Sequence, residues 1–334
     1  MTRQVLITGI SGFIAKHIAL KFLTAGHSVR GTVRRLDRGD EVRAALAPHL
    51  DAGALRRLTF VVCDLEQDAG WPEAMAGIEV LVHTASPFPI TQPKDEQDLI
   101  RPAVVGTLRA LTAARAAGVK RVVLTSSAVA VLDGSDAPQD EANWCNLAAR
   151  HVSAYAKSKT LAERAAWDFV KAAGMALTTI NPGFVLGPPL DKHYGSSVGV
   201  VRRILRGRDP MVPMIGFACV DVRDVAEMHL LAVEKPDTAG RRYLAVAGSM
   251  TMPDMARVLK AAYPGRRIAT RVAPKFVVQA LALFDPQIRS ILPEIGKMAM
   301  VPNARAKREM AMSFIPVDAA LQASAAWLIA AGEV

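Results

Sequence analysis

Tyr155 and Lys159 stand four residues apart in Tyr155-Ala-Lys157-Ser-Lys159, so on a helix both side chains project from one face. A tyrosine in water has a pKa of about 10, too high for easy proton exchange near neutrality. A lysine ammonium one turn away favours the phenolate and is expected to bring that pKa down. The pair then suits proton transfer to or from an oxygen atom. Ser127, in Leu124-Thr-Ser-Ser-Ala128 at the end of an apolar run, adds a hydroxyl that hydrogen-bonds such an oxygen while charge develops on it. Taken alone, a tyrosine and a lysine one turn apart occur on many surface helices. What the chain places beside them decides whether they do chemistry.

Near the amino terminus a strand pattern runs straight into Thr8-Gly9-Ile10-Ser11-Gly12-Phe13-Ile14-Ala15. Glycines there permit a tight turn and let the backbone approach a pyrophosphate, whose charge is met by N–H groups at a helix start. The spacing is G-x-x-G-x-x-A, with Ala15 in the third small position, where close helix-to-strand packing is needed. The second strand ends in Thr32-Val33-Arg34-Arg35-Leu36-Asp37-Arg38. No carboxylate stands at that strand end for a ribose 2′-hydroxyl; guanidinium groups do, and they suit a 2′-phosphate. NADP is therefore expected over NAD, with Asp37 the residue that keeps NAD in view. Asp64-Leu65 after the third strand are placed to hold an adenine. Thr84-Ala85-Ser86 after the fourth are small enough to admit pyrophosphate and nicotinamide ribose.

These motifs need a frame. From Gln4 to Leu124 short β-branched runs alternate with helical stretches, the signature of parallel strands joined by crossover helices. Strands are expected at Val5 to Thr8, Ser28 to Val33, Leu58 to Val62, Val80 to His83 and Val122 to Thr125, then Ala176 to Ile180 after a helix over Ser153 to Ala173. Ile14, Ile18 and Phe22 mark the buried face of the first helix, which Gly26 terminates. The fold class is α/β, a doubly wound parallel sheet with a smaller mixed carboxy-terminal lobe. Pro188-Pro189 breaks the pattern, so residues 1–187 read as the dinucleotide-binding domain, with returns near 218–248, and 188–334 as mostly the substrate lobe. Val317 to Ala331 reads as an amphipathic helix with Trp327 on its buried side.

Composition narrows the class further. The 334 residues are 51% hydrophobic and 22% charged, which excludes a disordered or collagenous chain. The most apolar stretches, Val277 to Phe284 and Ala325 to Ala331, fall far short of the roughly 18 residues a membrane span needs. Three scattered cysteines, Cys63, Cys145 and Cys219, form no C-x-x-C pair. A reducing, cytoplasmic setting fits, without a disulfide framework or thiolate zinc site. The net charge of +10 is spread over isolated arginine pairs rather than a stripe, which does not read as a nucleic-acid surface. The expected partner is a small-molecule carbonyl compound, with no membrane or nucleic acid, and the chain a monomer or homodimer.

The combination TGISGFIA, VRGTVRR, CDL, VHTASP, VVLTSSA, YAKSK and NPGFVLGP resembles the extended short-chain dehydrogenase/reductase family. Within it the chain is most similar to the dihydroflavonol reductase-like branch of NADPH-dependent aldehyde and ketone reductases. The carboxy-terminal SFIPVDAALQASAAWLIAAG resembles that branch's last helix, so the likeness spans nearly the whole chain. It implies Ser127, Tyr155 and Lys159 as a catalytic triad, with Tyr155 the proton donor and Lys159 also on the nicotinamide ribose. It implies Thr8, Gly9, Ser11, Gly12, Phe13 and Ile14 around the pyrophosphate and Arg34 with Arg38 as the 2′-phosphate clamp. Pro182, Val185 and Ser197 are implied as further cofactor contacts. Epimerases and dehydratases of the extended family carry Asn in an N-V-x-G-T stretch, where this chain has Ala103-Val-Val-Gly106-Thr107. That departure, with the arginine-marked second strand, argues against an NAD-dependent nucleotide-sugar epimerase or dehydratase, the alternative enzyme. A non-catalytic NADP sensor has no physical need for the intact triad.

Among the remaining candidates, His83 reads as a satisfied strand histidine and His151, four before Tyr155, as a helix-start surface residue. His193 and Tyr194 fall in the segment expected to close over the substrate. Phe88, Val129, Phe184 and Phe217 are expected to give the pocket an apolar wall, suited to an aryl or alkyl carbonyl. No histidine has the neighbours of a metal site.

Overall fold

Every second residue of the first strand belongs to a different apolar layer, and that alternation builds the molecule. In the computed structural model, Val5 and Ile7 of β1 (Gln4–Thr8) join one core cluster while Leu6 joins the other. Val80 and Val82 of β4 (Val80–His83) likewise face away from Leu81, and Val123 of β5 (Arg121–Thr125) from Val122 and Leu124. Strands buried on both faces in this way need helices on both sides. The structure describes residues 2–86, 95–132, 139–149, 152–284, 289, 292–298 and 300–334.

The main sheet adds β2 (Ser28–Val33), β3 (Leu58–Val62), β6 (Ala176–Pro182) and β9 (Arg241–Ala245), in the order β3-β2-β1-β4-β5-β6-β9. All its pairings are parallel. Helices Phe13–Thr24 and Val222–Glu234 pack together against one face, and Gln97–Ala116 and Ala154–Ala173 against the other. The chain winds outward from β1 to β3, then crosses back to β4, so the crevice opens between the carboxyl ends of β1 and β4. The strands lie where hydrophobic pattern placed them, with β6 two residues longer, through Asn181 and Pro182.

A second sheet, β10-β8-β7, comprises β7 (Phe184–Leu186), β8 (Gly216–Asp221) and β10 (Gly248–Thr251). Gly183 makes the passage from β6 to β7 feasible: a Cβ there would lie 2.1 Å from the Ala218 carbonyl oxygen. Helix Val317–Ala330 then ties in the carboxy terminus, with the Ser324 hydroxyl 2.8 Å from the Gly187 amide. After Pro188 the chain lies back on the first helix. His17 Nε2 lies 2.9 Å from the Pro188 carbonyl, and the buried ammonium of Lys16 pairs with Asp191 and donates to the His193 carbonyl at 3.3 Å.

One hydroxyl joins the two strands that frame the crevice. Thr8 Oγ1 accepts from the amides of Thr84 and Ala85, both at 3.1 Å, which occupies its lone pairs. Its own hydrogen therefore points to His83 Nδ1, 2.8 Å away. Burial, with the charge of Lys159 adding to it, pushes His83 down to about 3, so the ring is neutral and carries its hydrogen on Nε2. That nitrogen has no partner among the described residues. The reading of His83 as a satisfied histidine thus holds for one ring nitrogen only, because Thr8 reaches one edge of the ring. Thr8→Val leaves two amides and an imidazole without their shared partner and is expected to lower the unfolding free energy by about 2 kcal/mol. Thr8→Ser retains the hydroxyl and should stay near the parent in denaturant titrations; equal stability of the two variants would refute this account.

Candidate active site

The helix bearing Tyr155 starts where a side chain stops its orphan amides from facing water. Ser153 is its N-cap, with Oγ accepting from the Ala156 amide at 3.1 Å, and Gly174 ends it at φ 64°. Tyr155, Lys159 and Glu163 recur at intervals of four and so share one face. Tyr155 is hydrogen-bonded to Ser127, and Lys159 Nζ lies 5.9 Å from the centre of the tyrosine ring. Ser127 follows β5 in an extended conformation, and its Oγ accepts from the Val129 amide at 3.4 Å. The three residues that the motifs implied are brought together at the carboxyl end of the sheet.

Their electrostatics differ from the expectation in one respect. Burial raises the Tyr155 pKa above its ordinary value, and the Ser127 hydrogen bond only partly opposes it. The lowering expected from a lysine one turn away does not prevail, because the ring is withdrawn from water and the ammonium is itself desolvated. Burial brings Lys159 down to about 8, against the pull of the Glu163 carboxylate. Near neutrality the pair is a phenol beside a largely protonated amine, the form that donates a proton.

Behind the triad lies a buried polar cluster that motif reading missed. Glu163 is fully buried. Its Oε2 accepts from Ser126 Oγ at 2.5 Å and Asn181 Nδ2 at 2.8 Å. Its Oε1 accepts from Arg242 Nε at 2.7 Å, Thr179 Oγ1 at 3.0 Å and Trp167 Nε1 at 3.3 Å. Arg242, Asn181 and Trp167 can only donate there, and the Arg242 guanidinium forms an ion pair with the carboxylate. Asn181 Nδ2 also reaches the Ser127 carbonyl at 3.1 Å. Arg242 continues to the carbonyls of Glu141 and Asn143, at 3.1 and 2.5 Å, and its guanidinium carbon lies 3.8 Å from the Trp144 ring centre. The signal for Glu163 was present as a third residue at the four-residue interval; nothing local pointed to Arg242.

The glycine turn fits a dinucleotide. Gly9 has φ 63°, and a Cβ on it would lie 2.9 Å from the Ala85 Cβ, so a side chain would fill the cleft between the two strand ends. Gly12 is the N-cap of the Phe13–Thr24 helix and brings no side-chain cap, which leaves first-turn amides for an anion. Ser11 and Ile14 are partly buried beside it, and Phe13 is buried. Thr84, Ala85 and Ser86 line up after β4, partly exposed. Asp64 Oδ1 caps the Glu66 amide at 3.0 Å, and Leu65 packs where a Cβ on Gly106 would come within 3.1 Å. Pro182 and Val185 are buried at the ends of β6 and in β7, and Ser197 sits in the first turn of helix Ser196–Arg206.

The three arginines after β2 differ sharply. Arg34 is exposed, with no carboxylate partner among the described residues. Arg35 is paired with Asp37, whose Oδ1 also accepts from the Arg38 amide at 3.0 Å. The carboxylate that kept NAD in view is thus tied within its own turn. Arg38 pairs with Glu41 and lies 3.1 Å from His193 Nε2. His193 therefore sits beside the expected clamp instead of a substrate wall. Tyr194 donates to Glu333 at 3.1 Å and packs edge-on against Trp327. Both side chains were expected over the substrate; the fold of 188–195 onto the first helix directs them elsewhere.

Of the expected apolar wall, Phe184 and Phe217 stack with ring centres 4.3 Å apart, and Val129 is partly buried beside Ser127. Phe88 and His151 lie outside the described residues. Cys63, Cys145 and Cys219 are buried and form no disulfide among the described residues, and burial pushes the Cys63 and Cys219 thiols up to about 12. Among the described residues no acidic, histidine or cysteine cluster could hold a metal ion, and no helix is long and apolar enough to cross a membrane.

Comparison with known proteins agrees with this geometry. Residues 5–246 match the NAD dependent epimerase/dehydratase family. Tetraketide alpha-pyrone reductase 1 of Arabidopsis thaliana is 36% identical over 276 residues, covering 80% of this chain and 83% of its own. Ketoreductase azaE of Aspergillus niger is 35% identical over 298 residues, covering 83% and 87%. Among solved structures, yeast methylglyoxal/isovaleraldehyde reductase Gre2 complexed with NADPH superimposes with a TM-score of 0.81 at 26% identity, covering 99% of this chain and 100% of that one. The resemblance carried by the glycine turn, the arginine-marked strand and YAKSK is borne out: the chain belongs to the NAD dependent epimerase/dehydratase family, among its extended short-chain, dihydroflavonol reductase-like members.

Proposed function

We propose that this oxidoreductase uses NADPH to reduce the carbonyl group of an aryl or alkyl ketone or aldehyde, with Tyr155 as the proton donor. The observation that carries the reading is the Ser127–Tyr155 hydrogen bond with Lys159 over the ring, at the same sheet edge as the Gly9 cleft. A bound nicotinamide supplies the hydride. Gly9, Gly12 and the first-turn amides hold the pyrophosphate, Arg34 the 2′-phosphate, and Lys159 the nicotinamide ribose. The Ser127 hydroxyl orients the substrate oxygen and stabilises the charge that develops on it. The Tyr155 O–H bond breaks as its proton passes to that oxygen, and the Lys159 ammonium stabilises the phenolate left behind. Because burial keeps Tyr155 protonated, the donor form persists throughout the neutral range.

The stacked Phe184 and Phe217 support an apolar substrate. The named relatives are reductases of a tetraketide alpha-pyrone and of ketone substrates, and the solved neighbour binds NADPH. The free guanidinium of Arg34 supports the same cofactor here.

Two variants separate catalysis from cofactor choice. Tyr155→Phe is expected to lower kcat by about 10²- to 10⁴-fold on a panel of carbonyl substrates while NADPH binding, followed by fluorescence, is unchanged. Undiminished turnover would exclude the assigned donor. Arg34→Ala is expected to weaken NADPH by about 10- to 100-fold and NADH little, since charge-assisted bonds to the phosphate are lost. Equal weakening of both nucleotides would remove Arg34 from the clamp.

A further inference from the structure

We propose that Glu163 is a positioning residue of the reductase site: its carboxylate clamps the ends of β5, β6 and β9 to the Tyr155 helix and keeps Lys159 cationic. The inference rests on the reductase reading and adds a residue that no motif for the reaction includes. Glu163 gathers Ser126 from the end of β5, Thr179 and Asn181 from β6, and Arg242 from β9. Asn181 passes the constraint to the Ser127 carbonyl. The backbone that presents the Ser127 hydroxyl and the helix that presents Tyr155 and Lys159 are therefore bonded to one carboxylate.

Charge is the second half of the role. Glu163 lies one helical turn beyond Lys159, roughly 6 Å between their Cβ atoms. Its negative charge supports the ammonium against desolvation. Arg242 opposes that support from the far side of the carboxylate, and its own charge is spread over the Glu141 and Asn143 carbonyls and the Trp144 ring. The other titratable groups facing Lys159 are Tyr155 on its own helix, whose hydroxyl is bonded to Ser127, and His83 on β4. His83 is neutral above about 3 and does not titrate in the working range. The Glu163–Arg242 balance thus sets how far up in pH the Lys159 ammonium survives.

The sign follows directly. Lysine loses its proton as pH rises, so the alkaline limb of kcat/KM for carbonyl reduction marks the loss of the ammonium. Glu163→Gln removes the supporting charge and should move that limb down by about two pH units, the effect of one charge at this spacing and an effective dielectric of about 20. Arg242→Gln removes the opposing charge and should move it up. Glu163→Asp keeps the charge and should return the limb toward the parent position even if kcat stays low. A merely structural role would lower the melting temperature and kcat while leaving the limb in place. Melting curves and NADPH titrations of each variant report folding and cofactor binding separately. Where a single variant does not fold, Glu163→Gln with Arg242→Gln removes both members of the buried pair together. Its limb should still move down, since Glu163 is the nearer group.

An unmoved limb in folded variants, or shifts of the same sign for Glu163→Gln and Arg242→Gln, would overturn the role of Glu163 while leaving the reductase reading intact. Absence of any NADPH-dependent turnover by the parent protein across the carbonyl panel would instead overturn the reductase reading, and this inference with it.

Discussion

A buried carboxylate tolerates few arrangements, and the Glu163–Arg242 pair is the constraint around which this molecule closes. Removing either charge from water costs several kcal/mol, and the attraction between them offsets that only when the remaining hydrogen-bonding positions are filled. Here the carboxylate oxygens are filled by residues from different strands, while Nη2 of Arg242 has no hydrogen-bond partner among the described residues, so satisfying one carboxyl group fixes the order and height of the strand ends. Arg242 brings β9 to the outer side of β6, although its segment lies far down the chain from the first six strands. The same guanidinium holds the 139–149 segment through two carbonyls and the Trp144 ring. Hydrophobic burial makes the sheet; this pair ties together the edge that carries Ser127, Tyr155 and Lys159.

The opposite side of the crevice is governed by close approach. Gly9 and Ala85 leave no room between the ends of β1 and β4, and the Thr8 hydroxyl ties those ends through two amides and an imidazole. A dinucleotide fits because no side chain projects from Gly9 or Gly12 and the first turn of the Phe13–Thr24 helix has no side-chain cap. The two halves of the site thus use different physics. The phosphate side depends on absent side chains and oriented amides, and the reacting side on a desolvated phenol and on a desolvated amine supported by a buried carboxylate.

Several basic residues are committed to internal ion pairs, which leave the net charge of +10 unchanged. Lys16 is buried against Asp191, Arg35 is paired with Asp37, and Arg38 with Glu41 and His193. These contacts fasten the segment after Pro188 to the first helix and the end of β2, which joins the segment leading into helix Ser196–Arg206 to the dinucleotide side. Arg34 stays out of the network and is exposed. An arginine pair in a sequence reads as one feature; in the folded chain Arg34 and Arg35 have opposite fates.

Strands β1 to β5, the Tyr155 helix and the glycine turn were legible because each is specified by residues adjacent in sequence. Alternation of Val, Leu and Ile sets a strand's two faces, a four-residue interval sets a helix face, and glycines at the end of a strand set a turn. The order of these motifs was enough to assemble Ser127, Tyr155 and Lys159 on paper. Tertiary structure alone decided the rest. His193 and Tyr194 were expected to face a substrate and instead meet Arg38 and Glu333, because the course of the chain beyond Pro188 depends on an ion pair and hydrogen bonds to residues more than a hundred positions away. Desolvation likewise reversed the expected shift of Tyr155, since a lysine's spacing is written in the sequence and the removal of water around a ring is not. Local pattern determines which elements form and which residues they present. The partners of a buried charge, and with them the protonation of the reacting groups, exist only once distant strands have closed around it.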